Sequence, residues 1–77
     1  MRISVVGLGK LGAPLAAVLA SKGFSIVGTD LNRTFVDAIN QGNAPVEEPR
    51  LQELIERNRE RLTATSDAVA AVADSDA

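Results

Sequence analysis

A glycine triplet limits the folds open to this chain: Gly7-Leu8-Gly9-Lys10-Leu11-Gly12, set directly after the apolar run Ile3-Ser4-Val5-Val6. An apolar strand that meets Gly-x-Gly-x-x-Gly and runs on into a helix can wrap a pyrophosphate. The first glycine permits the tight turn, the second lets the backbone approach the phosphates, and the third lets the helix pack closely on the strand. Free N–H groups and the positive end of the helix dipole then face the anion. The spacing alone is weakly specific, because a tight βα turn can carry the same glycines and bind nothing. Asp30 strengthens it. It closes a second apolar strand 23 residues after Gly7, about where an acidic residue takes the ribose hydroxyls of NAD.

The remaining elements follow from period and punctuation. Met1 to Val6 reads as the first strand, nearly continuous in apolar residues, as in a parallel sheet covered on both faces. Leu11, Leu15, Val18 and Leu19 recur at helical spacing. Ala13, Ala16, Ala17 and Ala20 lie between them and permit a close approach to the sheet and to bound cofactor. Pro14 falls within the first turn of this helix, where a missing N–H costs little. Ser21-Lys22-Gly23 ends it, with Gly23 at C′. Phe24 to Asp30 is the second strand. Asn32 is the N-cap of a second helix with Phe35, Val36 and Ile39 as its buried stripe, and Gly42 ends that helix.

After an irregular loop from Asn43 to Glu48, Pro49 is expected at the first position of a third helix. Leu51, Leu54, Ile55 and Leu62 share one face of it. Glu53, Glu56, Arg57, Arg59, Glu60 and Arg61 cover the other as a solvated face, with Glu53 and Arg57 paired at i,i+4. Leu62 to Thr65 is a short third strand. Ser66 and Asp67 supply the N-cap and first-turn acid of a fourth helix through Val69, Val72 and Ala73. Asp74 and Asp76 are unfavourable at a helix C-terminus, so this helix stops near Ala73.

The order β-α-β-α-α-β-α sets the class as α/β: the first half of a Rossmann doubly wound parallel sheet, with strand order 3-2-1 and the fourth strand missing. That strand would lie on the far side of strand one, which is otherwise an unprotected edge. Residues 1–77 are therefore expected to be a truncated N-terminal part of an NAD(P)-binding Rossmann domain.

Composition removes the competing chemistries. With no cysteine and no histidine, neither a disulfide nor a histidine-based metal site is available; we expect no metal and no catalytic residue in this stretch. Phe24 and Phe35 are the only aromatics, so the core is built from Val, Leu, Ile and Ala. A formal charge of −2 and a pI near 4.9 argue against a nucleic-acid partner, which would need a basic footprint. No apolar run approaches the roughly 20 residues of a membrane span. The apolar start is broken by Gly7, Gly9, Lys10 and Gly12 and makes a poor signal peptide. A soluble cytoplasmic protein is expected. Glu47 and Glu48, adjacent on a loop before a helix, suit the helix dipole rather than acid–base work.

Taken together, these motifs resemble the N-terminus of the UDP-glucose/GDP-mannose dehydrogenase family, from Met1 to Ala77. The family's Gly-x-Gly-x-x-Gly-x-Pro-Leu-Ala run corresponds to Gly7–Ala16, and its Ala-Ser-Lys-Gly-Phe to Ala20–Phe24. The strand-end Asp corresponds to Asp30, and Ile-Asn-x-Gly-x-Ala-Pro-x-x-Glu-Pro to Ile39–Pro49. That last loop separates the family from generic dinucleotide folds. The resemblance implies an NAD-dependent oxidoreductase of polysaccharide biosynthesis. It would oxidise the C6 alcohol of a UDP- or GDP-sugar to a uronic acid, as a homodimer when complete. It also implies two NAD molecules used in turn and a cysteine that forms a thiohemiacetal and then a thioester. That cysteine and the nucleotide-sugar pocket belong to later family segments. The carry-over is confined to cofactor residues: the backbone around Gly7, Leu8, Gly9, Lys10, Leu11 and Gly12 for the pyrophosphate and Asp30 for the adenosine ribose; Arg33 is expected to reach the adenine side in place of the basic residue that Phe35 displaces.

Three departures accompany the resemblance. Lys10-Leu11 stands where the family often has Tyr-Val. Phe35 occupies a position, five after the ribose-binding Asp, where a basic residue is common. Arg50 replaces the glycine of a usual Glu-Pro-Gly-Leu, so glycine is not required for that turn. Asn32-Arg33-Thr34 is similar to the Asn-Arg-Thr of 6-phosphogluconate-type dehydrogenases, where Arg holds the 2′-phosphate of NADP. There Asn takes the acidic residue's place; here Asp30 holds it and would repel a 2′-phosphate, so NAD is favoured. The alternatives are a non-catalytic nucleotide-binding module and a fragment of a β-hydroxyacid or 6-phosphogluconate-type dehydrogenase, whose pattern lacks the Pro45–Pro49 loop.

Overall fold

Short runs of β-branched residues form the sheet at the centre of the molecule. The computed structural model describes residues 1–73, 75 and 76. In chain order they form β1 (Arg2–Val6), α1 (Gly12–Ser21), β2 (Ser25–Thr29), α2 (Arg33–Asn40) and α3 (Leu51–Arg57). A single 3-10 turn (Arg59–Arg61), β3 (Leu62–Thr65) and α4 (Ala68–Ala73) follow. The sheet order is β1-β2-β3, and both pairings are parallel. Register runs from Arg2 opposite Ser25 to Val6 opposite Thr29, and from Ile26 opposite Leu62 to Thr29 opposite Thr65. The C-terminal ends of the strands are therefore level, and the loops carrying Gly7, Asp30 and Ser66 all leave from one edge.

The face that α1 turns inward is the alanine face. Ala13, Ala16, Ala17 and Ala20 are completely buried, whereas Leu11, Leu15 and Val18 are exposed at 87%, 52% and 42%. The leucine periodicity does mark a helix, but it does not mark the packed side. Four alanines let the α1 backbone lie close to β2 and β1, where leucines would hold it off. The larger side chains of the core come from elsewhere: Val5, Leu8, Ile26, Ile39, Ile55 and Leu62. Leu8 and Ile55 are fully buried, each worth about 1.5–3 kcal/mol of transfer free energy.

α2 begins as its sequence suggests, with the Asn32 side chain accepting from the Thr34 N–H at 2.9 Å. Past Asn40 the chain turns through Gly42 in the left-handed region, φ +80°. The Asn40 side chain acts as a strand substitute. Its Nδ2 donates to the Ala64 carbonyl and its Oδ1 accepts from the Ala64 N–H, both at 2.9 Å, so part of the β3 backbone is satisfied by one amide. Gln52 holds the next loop, accepting from Ala44 N–H at 2.7 Å and donating to the Gly42 carbonyl at 3.1 Å.

Three boundaries differ from expectation. Pro49 is not the first residue of α3. The Leu51 N–H donates to the Glu48 carbonyl at 3.2 Å, and Arg50 has φ 66° and ψ −3°. This is a type II turn with Pro49 second and Arg50 third, and its fixed proline φ serves a turn as well as a helix start. Leu62 does not share the α3 face, because α3 ends at Arg57; it opens β3, where the expected Leu62–Thr65 strand lies. Asp67, not Ser66, caps α4: its Oδ1 accepts from the Ala70 N–H at 3.0 Å. Other expectations hold, among them Gly23 beyond α1 at φ +99° and the exposed Glu53–Arg57 pair at 2.7 Å. α4 ends at Ala73; Asp74 lies outside the described residues.

Arg50 is the only described non-glycine residue with positive φ. Although arginine is accommodated, the third position of a type II turn favours glycine. Arg50→Gly is expected to raise stability by about 0.5–1 kcal/mol, the relief of the left-handed strain exceeding the added unfolded-state entropy. A urea melt compared with the parent protein checks this; a lowered midpoint would show the strain to be absent.

Candidate nucleotide-binding site

The glycine loop is built by three separate constraints. Gly7 has φ +93°, and its N–H donates to the Thr29 carbonyl at 2.7 Å, which ties the end of β1 to the end of β2. Gly12 is a matter of space: a β-carbon there would stand 1.6 Å from the Gly7 carbonyl oxygen. Leu8 then points inward, fully buried, into room left by Gly28, where a β-carbon would be 2.4 Å from Leu8 Cδ2. Gly28, in the middle of β2, was not legible as a site residue, yet it lets the loop sit down on the sheet.

Asp30 joins this loop to the second strand. Its Oδ2 accepts the Leu8 N–H at 2.8 Å and its Oδ1 accepts the Asn32 N–H at 2.8 Å. These bonds, Leu8 foremost and Asn32 next, hold the carboxyl below its ordinary value near 3.8; partial burial opposes them, and the Leu31 N–H adds a smaller lowering. A carboxylate has about four acceptor sites, so Asp30 retains capacity for hydroxyl donors. The Leu8 amide, expected to face phosphate, is instead engaged by Asp30, because the buried Leu8 side chain turns that N–H toward β2. Leu8 anchors the loop.

The other loop amides are different. Among the described residues, the N–H groups of Gly9, Lys10, Leu11 and Gly12 have no acceptor, while the Gly9 carbonyl accepts from Ala13 N–H at 3.1 Å. They lead into the first turn of α1, whose N-cap Leu11 supplies no side-chain bond, so the positive end of the helix dipole is left open. Gly9 has no strained φ to explain it, and the nearest atom to a β-carbon there would be Phe35 Cε2 at 3.9 Å, an ordinary contact. Among the described residues, nothing requires glycine at this position. A ligand lying against the backbone would. Lys10 and Leu11 side chains are exposed, and exposed Arg33 starts α2 one residue past its cap.

Beside the loop is a hollow of about 260 Å³ bordered by Val6, Gly7, Thr29, Asp30, Leu31 and Ser66. Sequence reasoning missed Thr29 here. Its buried Oγ1 has no hydrogen-bond partner among the described residues, an uncommon state for a buried hydroxyl and one that a polar ligand would relieve. A larger hollow of about 590 Å³ lies between α1 and α3, bordered by Pro14, Val18, Glu48, Pro49 and Leu54. It contains none of the loop residues, and volume does not outweigh the free amides and carboxylate at the smaller one. Among the described residues no cluster of metal-ligating side chains occurs, and no helix is long and apolar enough to cross a membrane.

Comparison with known proteins gives this geometry its context. The chain matches the NAD binding domain of the UDP-glucose/GDP-mannose dehydrogenase family over residues 1–77. It is 45% identical over 78 aligned positions to GDP-mannose 6-dehydrogenase of Pseudomonas aeruginosa, covering 99% of this chain and 18% of that protein. It is 41% identical over 68 positions to UDP-glucose 6-dehydrogenase AglM of Haloferax volcanii, covering 87% of this chain and 16% of that one. Among solved structures, a ternary complex of the Pseudomonas aeruginosa GDP-mannose dehydrogenase superposes with a TM-score of 0.94 over 99% of this chain and 18% of that one, at 45% identity. A UDP-glucose dehydrogenase from Pyrobaculum islandicum gives 0.90 at 35% identity, over 97% of this chain and 18% of that one. The chain thus spans less than a fifth of the length of these relatives. The matched model is that of an NAD binding domain, and the chain belongs to the UDP-glucose/GDP-mannose dehydrogenase family.

Proposed function

We propose that residues 1–77 are the first part of a Rossmann NAD-binding domain, and that Gly9, Lys10, Leu11 and Gly12 receive the pyrophosphate on the turn made by Gly7 while Asp30 takes the adenosine ribose. Arg33 lies at the adenine side. A doubly wound order 3-2-1, extended by a fourth strand beyond β1, is part of the same reading. It is supported by β2 lying between β1 and β3 and by the chain's return to β1, where the Asp76 N–H donates to the Arg2 carbonyl at 2.7 Å. The natural protein is then a nucleotide-sugar 6-dehydrogenase that oxidises the C6 alcohol of a UDP- or GDP-sugar to a uronic acid. When bound, NAD supplies the hydride acceptor. The residues described here orient it, and those that handle the sugar belong to other family segments. A cytoplasmic homodimer is the proposed setting.

The observation that carries this reading is Gly9. It has neither a left-handed φ nor a crowded neighbourhood, and unpaired amides surround it. Gly9→Ala is expected to leave the melting temperature unchanged or raise it, since alanine at an unstrained position adds about 0.4–1 kcal/mol of stability. The same substitution is expected to weaken NAD binding about tenfold or more, by placing a methyl group between the backbone and the phosphates. Calorimetric titration with NAD beside a thermal melt separates the two effects. Unchanged NAD affinity would contradict the assignment.

A further inference from the structure

Three consecutive residues of the central strand hold the start of the glycine loop. The Thr29 carbonyl accepts the Gly7 N–H at 2.7 Å, and the Asp30 carboxylate accepts the Leu8 N–H at 2.8 Å. The third hold is steric. Leu8 is fully buried within the core cluster, and its side chain lies over Gly28. Outside the adjoining residues, the three described atoms nearest to a β-carbon built on Gly28 all belong to Leu8: Cδ2 at 2.4 Å, Cδ1 and Cγ at 3.2 Å. A β-carbon stands only about 1.5 Å from its α-carbon. Leu8 Cδ2 is therefore within about 4 Å of the α-carbon that Gly28 does have, which is a packing contact. Gly28 cannot retreat from it. β2 is flanked on both sides, with Gly28 opposite Val5 of β1 and Ala64 of β3.

We infer that Gly28 is a positioning residue for the dinucleotide: by leaving room for the Leu8 side chain it sets how deeply the loop sits, and so where the Gly9–Gly12 amides stand when the pyrophosphate arrives. This rests on the reading of the loop as the NAD pyrophosphate site. A methyl group at residue 28 would drive Leu8 outward, because a packed core has no spare room for it. The Leu8 N–H would then leave Asp30, and Gly9, the next residue, would move with it. Amide donors bind an anion well when they are fixed before it arrives, because less ordering is then required on binding. Gly28 lies beneath Leu8 and acts only through it. What matters is the fit between the two positions, not glycine as such. Leu8→Val removes one carbon from one side of the contact and Gly28→Ala adds one on the other, so the double variant conserves the volume.

The test titrates NAD into the natural full-length protein and its Gly28→Ala, Leu8→Val and Leu8→Val/Gly28→Ala variants, with circular dichroism to verify folding and crystal structures of the variants without NAD. Gly28→Ala is expected to weaken NAD about tenfold and to open the bond from the Leu8 N–H to Asp30 beyond about 3.5 Å. Adding Leu8→Val is expected to restore the bond and to bring NAD within about threefold of the parent, since residues in contact are not additive. A glycine needed only for folding would lower the melting temperature and leave NAD affinity in the folded variant unmoved. Should Gly28→Ala fail to fold, Leu8→Ala, which withdraws the anchor from the other side, carries the same two expectations. An intact Leu8–Asp30 bond in the folded variant, or a double variant no better than Gly28→Ala, overturns the proposal and leaves the pyrophosphate reading standing. An opened bond with parental NAD affinity overturns the pyrophosphate reading itself and the proposal with it.

Discussion

Gly12→Ala is expected to destabilise this chain by about 3 kcal/mol or more and to abolish measurable NAD binding. Small-to-large changes in packed regions cost about 1–3 kcal/mol when side chains can shift aside. Here the added β-carbon would meet the Gly7 carbonyl oxygen at 1.6 Å and its carbonyl carbon at 2.7 Å. Only the backbone can give way. Gly7 is itself tied to β2 through its N–H bond to Thr29, so displacing it breaks the junction between β1 and the glycine loop. Small domains hold only about 0.05–0.15 kcal/mol per residue, which makes such a loss a large share of the whole. Urea denaturation gives the stability and a titration gives the affinity. A variant melting within a degree of the parent would mean that the loop does not close on Gly7. Gly9→Ala, three residues away, has the opposite expectation for stability, and the pair separates a glycine required by the fold from one required by a ligand.

Asp30→Asn is the second large effect, and it is not conservative. Both carboxylate oxygens accept backbone N–H groups, Leu8 at Oδ2 and Asn32 at Oδ1. An asparagine amide offers one acceptor and would set its NH₂ against one of those donors. NAD affinity is expected to fall at least about tenfold, since the loop lock and the ribose acceptor are lost together. The parent protein is expected to bind NAD more tightly than NADP, and the variant's preference should narrow because the charge opposing a 2′-phosphate is gone. Unchanged selectivity would show that Asp30 does not face that hydroxyl.

The same residue gives a pH signature whose sign is fixed by the direction of its shift. The Asp30 carboxyl in the folded chain lies below its ordinary value near 3.8, so folding favours the ionised form. Its stabilising contribution is fully present above that ordinary value and is lost as pH falls through the lowered folded value. Acid melts of the parent should show this increment disappearing below about pH 4, and those of Asp30→Asn should lack it. Parallel profiles would mean that the Leu8 and Asn32 bonds do not distinguish the charged carboxyl.

Local chemistry made much of the fold and site legible. Gly7, Gly12 and Asp30 could be placed because tight turns, close helix packing and strand ends demand particular residue types at short range. The Asn32 cap and Gly23 terminus are equally local. Longer-range effects were not legible. The leucines of α1 are more apolar than its alanines, but the distance between helix and sheet, set by the whole core, decided in favour of alanine. Pro49 suits a helix start and a type II turn with the same φ, and only the left-handed Arg50 separates the two. The Ser66-Asp67 pair holds adjacent cap formers, and which one caps depends on a shift of a single residue. Leu8 to Asp30 and Gly28 beneath Leu8 are contacts between distant parts of the chain, invisible to period or spacing.

A crystal structure of the natural full-length protein with NAD bound tests the central assignment most directly. If the glycine loop is the pyrophosphate site, phosphate oxygens lie about 3 Å from the Gly9–Gly12 amide nitrogens and a ribose hydroxyl lies at a similar distance from an Asp30 oxygen. A pyrophosphate seated elsewhere, with those amides turned to solvent, would contradict it.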